Sequence, residues 1–213
     1  MILVQGFGPF GTHSVNPSES LVRAVSQQGH EDVTTEVLPT SIARVRDSVP
    51  ELMAQHRPST WIGVGLGVGR TALSIEAVGI NLADWGDENA DVDGASAPRQ
   101  PIISGGPNAH LTTLPVQEIL DGWKQAGIPG YLSLTAGSYL CNMSLYIAAQ
   151  TAVELKLNCR VGFLHIPLFP ELVGSQAKEP SMAKSIQLRG LDLVINASRA
   201  ATDEAGLYQI RNR

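Results

Sequence analysis

The sequence is short of charge, of cysteine and of clustered base, and each shortage closes a class of explanation. Asp, Glu, Lys and Arg make up 16% of the 213 residues, well under the quarter usual in globular chains. With a mean hydropathy of +0.03, that composition excludes intrinsic disorder, which needs low hydrophobicity and high net charge. The 15 Lys and Arg against 20 Asp and Glu leave a net charge of −5. The bases form no run or stripe that could neutralise phosphates, so no nucleic acid is expected as a partner. Cys141 and Cys159 are the two cysteines and form no C-x-x-C pair, which is neither a disulfide framework nor a zinc site. No metal and no cofactor are expected.

Long clean apolar runs are also missing. The uncharged stretch 125–153 is broken by Pro129, Gly130, Gly137, Asn142 and Gln150, so no membrane span is expected. The opening MILVQGFGPFG has no basic segment ahead of its apolar residues, unlike a secretory signal. These features point to a soluble globular protein of a reducing compartment, one domain over 1–213, long enough to bury a core without staples.

What is present is an alternation of strand-like and helix-like periods. Apolar or β-branched runs predict strands over 1–5, 33–38, 60–69, 73–82, 130–134 and 160–166. Helical spacing predicts helices from Asn16-Pro17-Ser18 to about Gln28, then over 42–55, 114–125, 142–155 and 181–199. The helix over 142–155 is read as amphipathic, with Leu145, Ala148, Ala152 and Leu155 on one stripe. Residues 84–106 hold five acidic side chains and no period, and read as a long exposed loop. The tail 200–213 reads as loosely attached. The rhythm argues for an α/β sheet between helices.

Gly6-Phe7-Gly8-Pro9-Phe10-Gly11 formally matches a dinucleotide-binding G-x-G-x-x-G. The helix-start signal at Asn16 to Ser18 comes too late to meet a pyrophosphate, and two Phe and a Pro would crowd it. The motif reads instead as a turn, or as a loop presenting Phe7 and Phe10 as an apolar platform. Gly63 through Gly69 lacks the Gly-Lys-Ser/Thr ending of a phosphate loop and reads as a strand end.

Three residues do not fit their surroundings. Glu76 falls with Val78, Ile80 and Leu82 on one face of the expected strand. A carboxylate there needs a cationic or hydrogen-bonding partner, and Arg70 is one candidate. His165 stands inside the apolar run Val161 to Pro170, where it is either a hydrogen-bonded structural histidine or a base. Cys141 precedes the helix expected from Asn142, so the helix dipole should lower its pKa and favour the thiolate; otherwise it is a small buried hydrophobe. Together they offer a nucleophile, a base and an orienting carboxylate near α/β element ends.

Four segments make the sequence resemble pyroglutamyl peptidase type I, also called pyrrolidone carboxyl peptidase. They are the Gly6 to Gly11 motif with Asn16-Pro17-Ser18, Gly69-Arg70-Thr71 leading to Ile75-Glu76-Ala77-Val78 and Ile80-Asn81, Thr135-Ala136-Gly137 through Cys141-Asn142, and His165-Ile166-Pro167 with Pro180-Ser181-Met182. The resemblance implies a single-domain three-layer α/β/α sandwich with a mixed, mostly parallel sheet, a fold similar to that of nucleoside phosphorylases. It implies a cytosolic cysteine peptidase that removes N-terminal pyroglutamate from peptides, with Cys141 as nucleophile, His165 as base and Glu76 as orienting carboxylate. It also places Phe7, Phe10, Asn16, Thr40, Leu66, Tyr139 and Leu140 around the lactam ring, and implies a homotetramer.

Two positions depart from the family pattern. Leu66 stands where the family usually has Gln, and Gly86 where it carries an Arg near the oxyanion; Arg70 or Arg99 is the candidate to replace that Arg in space. Two other readings stay open: a nucleoside-phosphorylase-like enzyme, and a non-catalytic relative that binds pyroglutamyl peptides.

Overall fold

Runs of β-branched and small apolar residues, buried on both faces, build the centre of the molecule. The protein is described by a computed structural model covering residues 1–10, 15–173 and 178–200. In chain order the first strands and helices are β1 (Ile2–Phe7), α1 (Pro17–Gln27), β2 (Val33–Leu38), α2 (Ile42–His56), β3 (Thr60–Leu66) and β4 (Leu73–Glu76). The short strands β5 (Val78–Ile80), β6 (Ala83–Trp85), β7 (Ala97–Gln100) and β8 (Ala109–Leu111) follow. The chain then forms α3 (Val116–Gln125), β9 (Gly130–Ser133), α4 (Leu140–Glu154), β10 (Arg160–Ile166) and α5 (Lys184–Ala200).

Six strands pair in the order β2-β1-β3-β10-β4-β9. Every neighbouring pair is parallel except β10 with β4, which is antiparallel. Alternate residues feed two cores, as the two-residue period of a strand requires. Leu3, Phe7, Trp61, Val161 and Phe163 pack against α2 and α4. Ile2, Val4, Ile62, Val64, Leu164 and Ile166 pack against α1, α3 and α5. The result is the three-layer α/β/α sandwich. Burying each such aliphatic side chain contributes about 1.5–3 kcal/mol.

Local chemistry sets the helix starts. Asn16 caps α1 by accepting from the Ser18 N–H at 3.0 Å, and Pro17 occupies the first turn, where no N–H is needed. Gly6 lets α1 approach β1: a Cβ there would lie 2.8 Å from Val22 Cγ2 and 3.1 Å from the Ser18 carbonyl oxygen. The first glycine of the Gly6 motif therefore serves helix packing.

Several sequence expectations need correction. The strand expected over 73–82 is two strands in different sheets. The Ala77 N–H still reaches the Ser133 carbonyl at 2.7 Å, but the Ala77 carbonyl turns to the Thr112 N–H at 2.9 Å. There the chain leaves the main sheet and pairs as β5 with β8, a strand the periodicity missed. Glu76 therefore does not share a continuous strand face with Val78, Ile80 and Leu82. The strand expected over 60–69 ends at Leu66. The helix expected over 142–155 starts two residues earlier and is buried nearly all round rather than along one stripe, because it lies between the sheet, α2 and the β5–β8 ribbon.

The stretch 84–106 is not a long exposed loop. It contains the β6–β7 ribbon and a 3-10 turn over Asp87–Asn89, and it buries Trp85, Asp91, Ala97 and Ile102. Of the tail expected over 200–213, residues 201–213 lie outside the described residues. Among the described residues no helix is long and apolar enough to cross a membrane.

Candidate active site

Side chains distant in sequence meet on the sheet face that α4 covers. In the β10–β3 register His165 sits beside Gly65, and in the β10–β4 register it sits opposite Ser74. Ile75 and Leu164 point into the α1–α3–α5 layer, so Ser74 and Glu76 share the other face with Phe163 and His165. His165 Nδ1 and Glu76 Oε1 are 2.8 Å apart, and both residues are buried. A carboxylate oxygen only accepts, so Nδ1 carries the proton and donates it. The free nitrogen of the ring is then Nε2.

Cys141 is the second residue of α4, after the N-cap Tyr139 and just downstream of Gly137, whose φ of +77° makes the turn. Glycine brings its sulfur down onto the strands. A Cβ on Gly65 would lie 2.7 Å from Cys141 Sγ and 2.8 Å from the Phe163 ring. Since Gly65 is the register partner of His165, the sulfur, Gly65 and the imidazole occupy one corner of the site. The Cys141 N–H belongs to the helical first turn, where backbone donors lack intrahelical acceptors.

The electrostatics correct one expectation. Burial, with the Glu76 charge adding to it, pushes the Cys141 thiol up to about 12; Arg70 and a backbone hydrogen bond pull it down by less. Burial likewise pushes His165 below the ordinary histidine value, against the hydrogen bond and charge of Glu76. Burial thus disfavours both the imidazolium and the thiolate that a helix start alone suggests. Desolvation of the charged form outweighs the helix dipole here. Cys159 is pushed to about 12 as well, again chiefly by burial.

A cavity of about 50 Å³ opens beside the sulfur, lined by Phe7, Phe10, Asn16, Thr40, Leu66, Tyr139, Leu140 and Cys141. The residues expected around the lactam ring are therefore brought together. Phe7 differs from the expectation of a platform presented by the loop. Phe7 ends β1 and is 3% exposed, a core residue as much as a wall. Asn16 donates to the Gly8 carbonyl at 2.8 Å and accepts from Ser18, and Thr40 donates to the same carbonyl at 3.0 Å. Both hold the Gly8 backbone in place. A wider groove of about 410 Å³ between α1 and β2, lined by Arg23, Glu36 and Val37 among others, is far from this chemistry.

Arg99 does not enter the site: its side chain is 80% exposed and pairs with Asp84 at 3.5 Å. Arg70 does, with a terminal nitrogen, Nη1, 2.8 Å from Glu76 Oε1. Sequence reasoning missed the strap that braces the cavity. The Asp91 carboxylate accepts from the N–H groups of Ile42, Asp93 and Ala95 at 2.7, 2.9 and 2.8 Å. The Val92 N–H donates to the Thr40 carbonyl at 3.0 Å. On the opposite wall Ser138 donates to the Asp84 carbonyl at 2.8 Å, and the Trp85 ring meets Tyr139 edge-on at 4.8 Å. The sequence signal for this brace was an acidic residue six positions before a short strand that contains Pro98, which is too weak to read.

The geometry can be set beside known proteins. The family model for pyroglutamyl peptidase matches residues 1–201. The pyrrolidone-carboxylate peptidase of Pyrococcus furiosus is 31% identical over 203 residues, covering 92% of this chain and 97% of that protein. That of Vibrio vulnificus strain CMCP6 is 36% identical over 198 residues, covering 91% of this chain and 90% of that protein. A solved mutant pyrrolidone carboxyl peptidase from Pyrococcus furiosus superposes with a TM-score of 0.87 at 30% identity, covering 93% of this chain and 97% of that one. A match running through both cores and the whole cysteine–histidine–glutamate corner leaves one conclusion: the chain belongs to the pyroglutamyl peptidase family.

Proposed function

We propose that Cys141, His165 and Glu76 form the catalytic unit with which this chain, a cysteine-type pyroglutamyl peptidase, hydrolyses the bond after an N-terminal pyroglutamyl residue of peptides. The observation that carries the reading is the tie of His165 Nδ1 to Glu76 Oε1. It leaves Nε2 as the free base in the corner where Cys141 Sγ rests on Gly65. The family match does not favour the nucleoside-phosphorylase-like or the non-catalytic reading.

Cys141 Sγ attacks the pyroglutamyl carbonyl carbon as its proton passes to His165 Nε2. This is general-base activation of a neutral thiol. The Cys141 N–H, at the helix start, stabilises the oxyanion. His165 then returns the proton to the leaving amine nitrogen as the C–N bond breaks, leaving a thioester. A water gives its proton to Nε2 and its oxygen to the acyl carbon, and the thiolate leaving group recovers the proton. Glu76 accepts from Nδ1–H throughout and stabilises the transient imidazolium.

Phe7, Phe10, Leu66, Tyr139 and Leu140 act as walls for the flat, uncharged ring, with Asn16 and Thr40 fixing the backbone at Gly8. A cavity of about 50 Å³ suits one compact ring rather than an extended side chain. None of the described residues lining it is a carboxylate, so a free N-terminal ammonium entering it would be desolvated without a partner, and that excludes unmodified Glu or Gln. By its length the chain acts as one domain over 1–213, and on the resemblance alone it acts in the cytoplasm as a homotetramer; sedimentation of the reduced protein tests the last.

The test is turnover of a pyroglutamyl amide carrying a chromogenic leaving group, with and without iodoacetamide. Loss of turnover in step with alkylation of Cys141 is the expected result. An unalkylated, folded protein with no turnover would overturn the reading.

A further inference from the structure

Glu76 has two partners on one oxygen. His165 Nδ1 and Arg70 Nη1 each lie 2.8 Å from Oε1, while Oε2 has no hydrogen-bond partner among the described residues. The carboxylate is fully buried, and an unpaired buried carboxylate is strongly unfavourable. One of the two neighbours must therefore supply the compensating positive charge. An imidazolium at His165 could, but a protonated histidine cannot accept the thiol proton. Arg70 is permanently charged and makes that protonation unnecessary.

The chain invests in holding this arginine in place. Arg70 also donates to Ser74 Oγ, to Tyr131 Oη at 3.3 Å and to the Thr135 carbonyl at 3.3 Å. These anchors come from β4, β9 and the segment leading to α4. A Cβ on Gly67 would lie 2.6 Å from Arg70 Cδ, so the bare backbone of that turn is what lets the side chain lie over the sheet. Only 19% of the side chain is exposed. Among the described residues, the ion pairs of Glu76 are those with Arg70 and His165.

From this arrangement we infer that Arg70 is a positioning residue of the catalytic unit: as the standing counter-ion of Glu76, it leaves His165 a neutral base with Nδ1–H aimed at Oε1. The inference rests on the catalytic roles proposed above. Among the described residues, the charged groups acting on His165 are Glu76 from β4 and Arg70 from the β3–β4 turn, and Cys141 from α4 rests over its register partner Gly65; α5 packs on the opposite face of the sheet. Arg70 acts in the required sense on both partners, lowering His165 and lowering Cys141 against its burial. Without it, Glu76 would draw a proton onto His165, and the base would be lost at a higher pH.

The experiment is the pH profile of kcat/KM for a pyroglutamyl chromogenic amide in the wild-type, Arg70→Lys and Arg70→Gln proteins. The acid limb should move upward by about one pH unit in Arg70→Gln, a shift that costs at most about tenfold at pH 7. Arg70→Lys should keep the limb at the wild-type pH even if its plateau falls. An Arg70→Gln profile lowered equally at every pH, with its limb unmoved, would show a merely structural role and overturn the inference. If Arg70→Gln does not fold, the double variant Arg70→Gln/Glu76→Gln, which leaves no unpaired buried carboxylate, serves instead. Its limb should lie at or below that of wild type, and a higher limb would overturn the inference. Wild-type turnover that survives alkylation of Cys141 would instead sink the proposed catalytic roles, a result separable from any movement of the limb.

Discussion

The two ends of the sheet each carry a cysteine, and the pair is nearly matched in its own properties. Cys141 and Cys159 are both free, both partly buried and both packed against the α2–α4 core. Burial pushes both thiols up to about 12. What differs is the company. Cys159 sits just before β10, with its sulfur donating to the Arg160 carbonyl at 3.4 Å. Cys141 sits six strand residues away, about 20 Å along β10, over Gly65 and next to the His165–Glu76–Arg70 cluster. Thiol acidity does not distinguish them; a group able to accept the proton does. Reactivity here is a property of the neighbourhood and not of the sulfur.

The largest effects should break that comparison outright. Cys141→Ser and His165→Ala are each expected to lower kcat by about a thousandfold or more, whereas Cys159→Ser should stay within about twofold, because members of one catalytic unit fail together. Turnover of a pyroglutamyl chromogenic amide reads all three, and equal loss in both cysteine variants would reassign the nucleophile. Next comes Gly65→Ala. The new methyl would fall 2.7 Å from Cys141 Sγ and push the sulfur off its seat, for an expected loss of about a hundredfold in kcat. Near-ultraviolet circular-dichroism melting should show the variant still folded.

A gentler probe sharpens the contrast by measuring each thiol directly. At pH 7 iodoacetamide should alkylate Cys141 about tenfold faster than Cys159, since His165 can accept the proton as the S–C bond forms. His165→Ala should bring the two rates together, and mass mapping of the labelled peptides decides it. The smallest effect concerns the strap. Asp91→Ala strands three backbone N–H donors, at a cost of about 1–3 kcal/mol. The cavity walls should loosen, raising KM several-fold while the alkylation rate of Cys141 stays put. A variant with unchanged KM would show that the strap serves stability alone.

How much of this was legible in the residues varies by element. Local signals sufficed for Asn16 capping α1, for β10 as an apolar run holding one histidine, and for Cys141 at the start of a helix. Each depends on neighbours within a few positions, where propensity and period act. The break at Ala77 was not legible, because it depends on a carbonyl finding Thr112, 35 residues further on. Nor was the brace of 84–106, whose acidic residues read as solvated until Asp91 is seen to accept from the first N–H of α2.

The same division runs through the site. Residue types alone told which chemistry was available: one thiol at a helix start, one histidine in an apolar strand, one carboxylate beside an arginine, two phenylalanines in a glycine loop. The pairing of strands decided the rest. Register set His165 beside Gly65 and aligned Glu76 on the same face, the absence of a side chain at Gly65 seated the sulfur, and burial reversed the acidity that the helix start alone would have given Cys141. These are long-range facts, because desolvation and hydrogen-bond partners depend on what the sheet brings together rather than on what the chain places side by side.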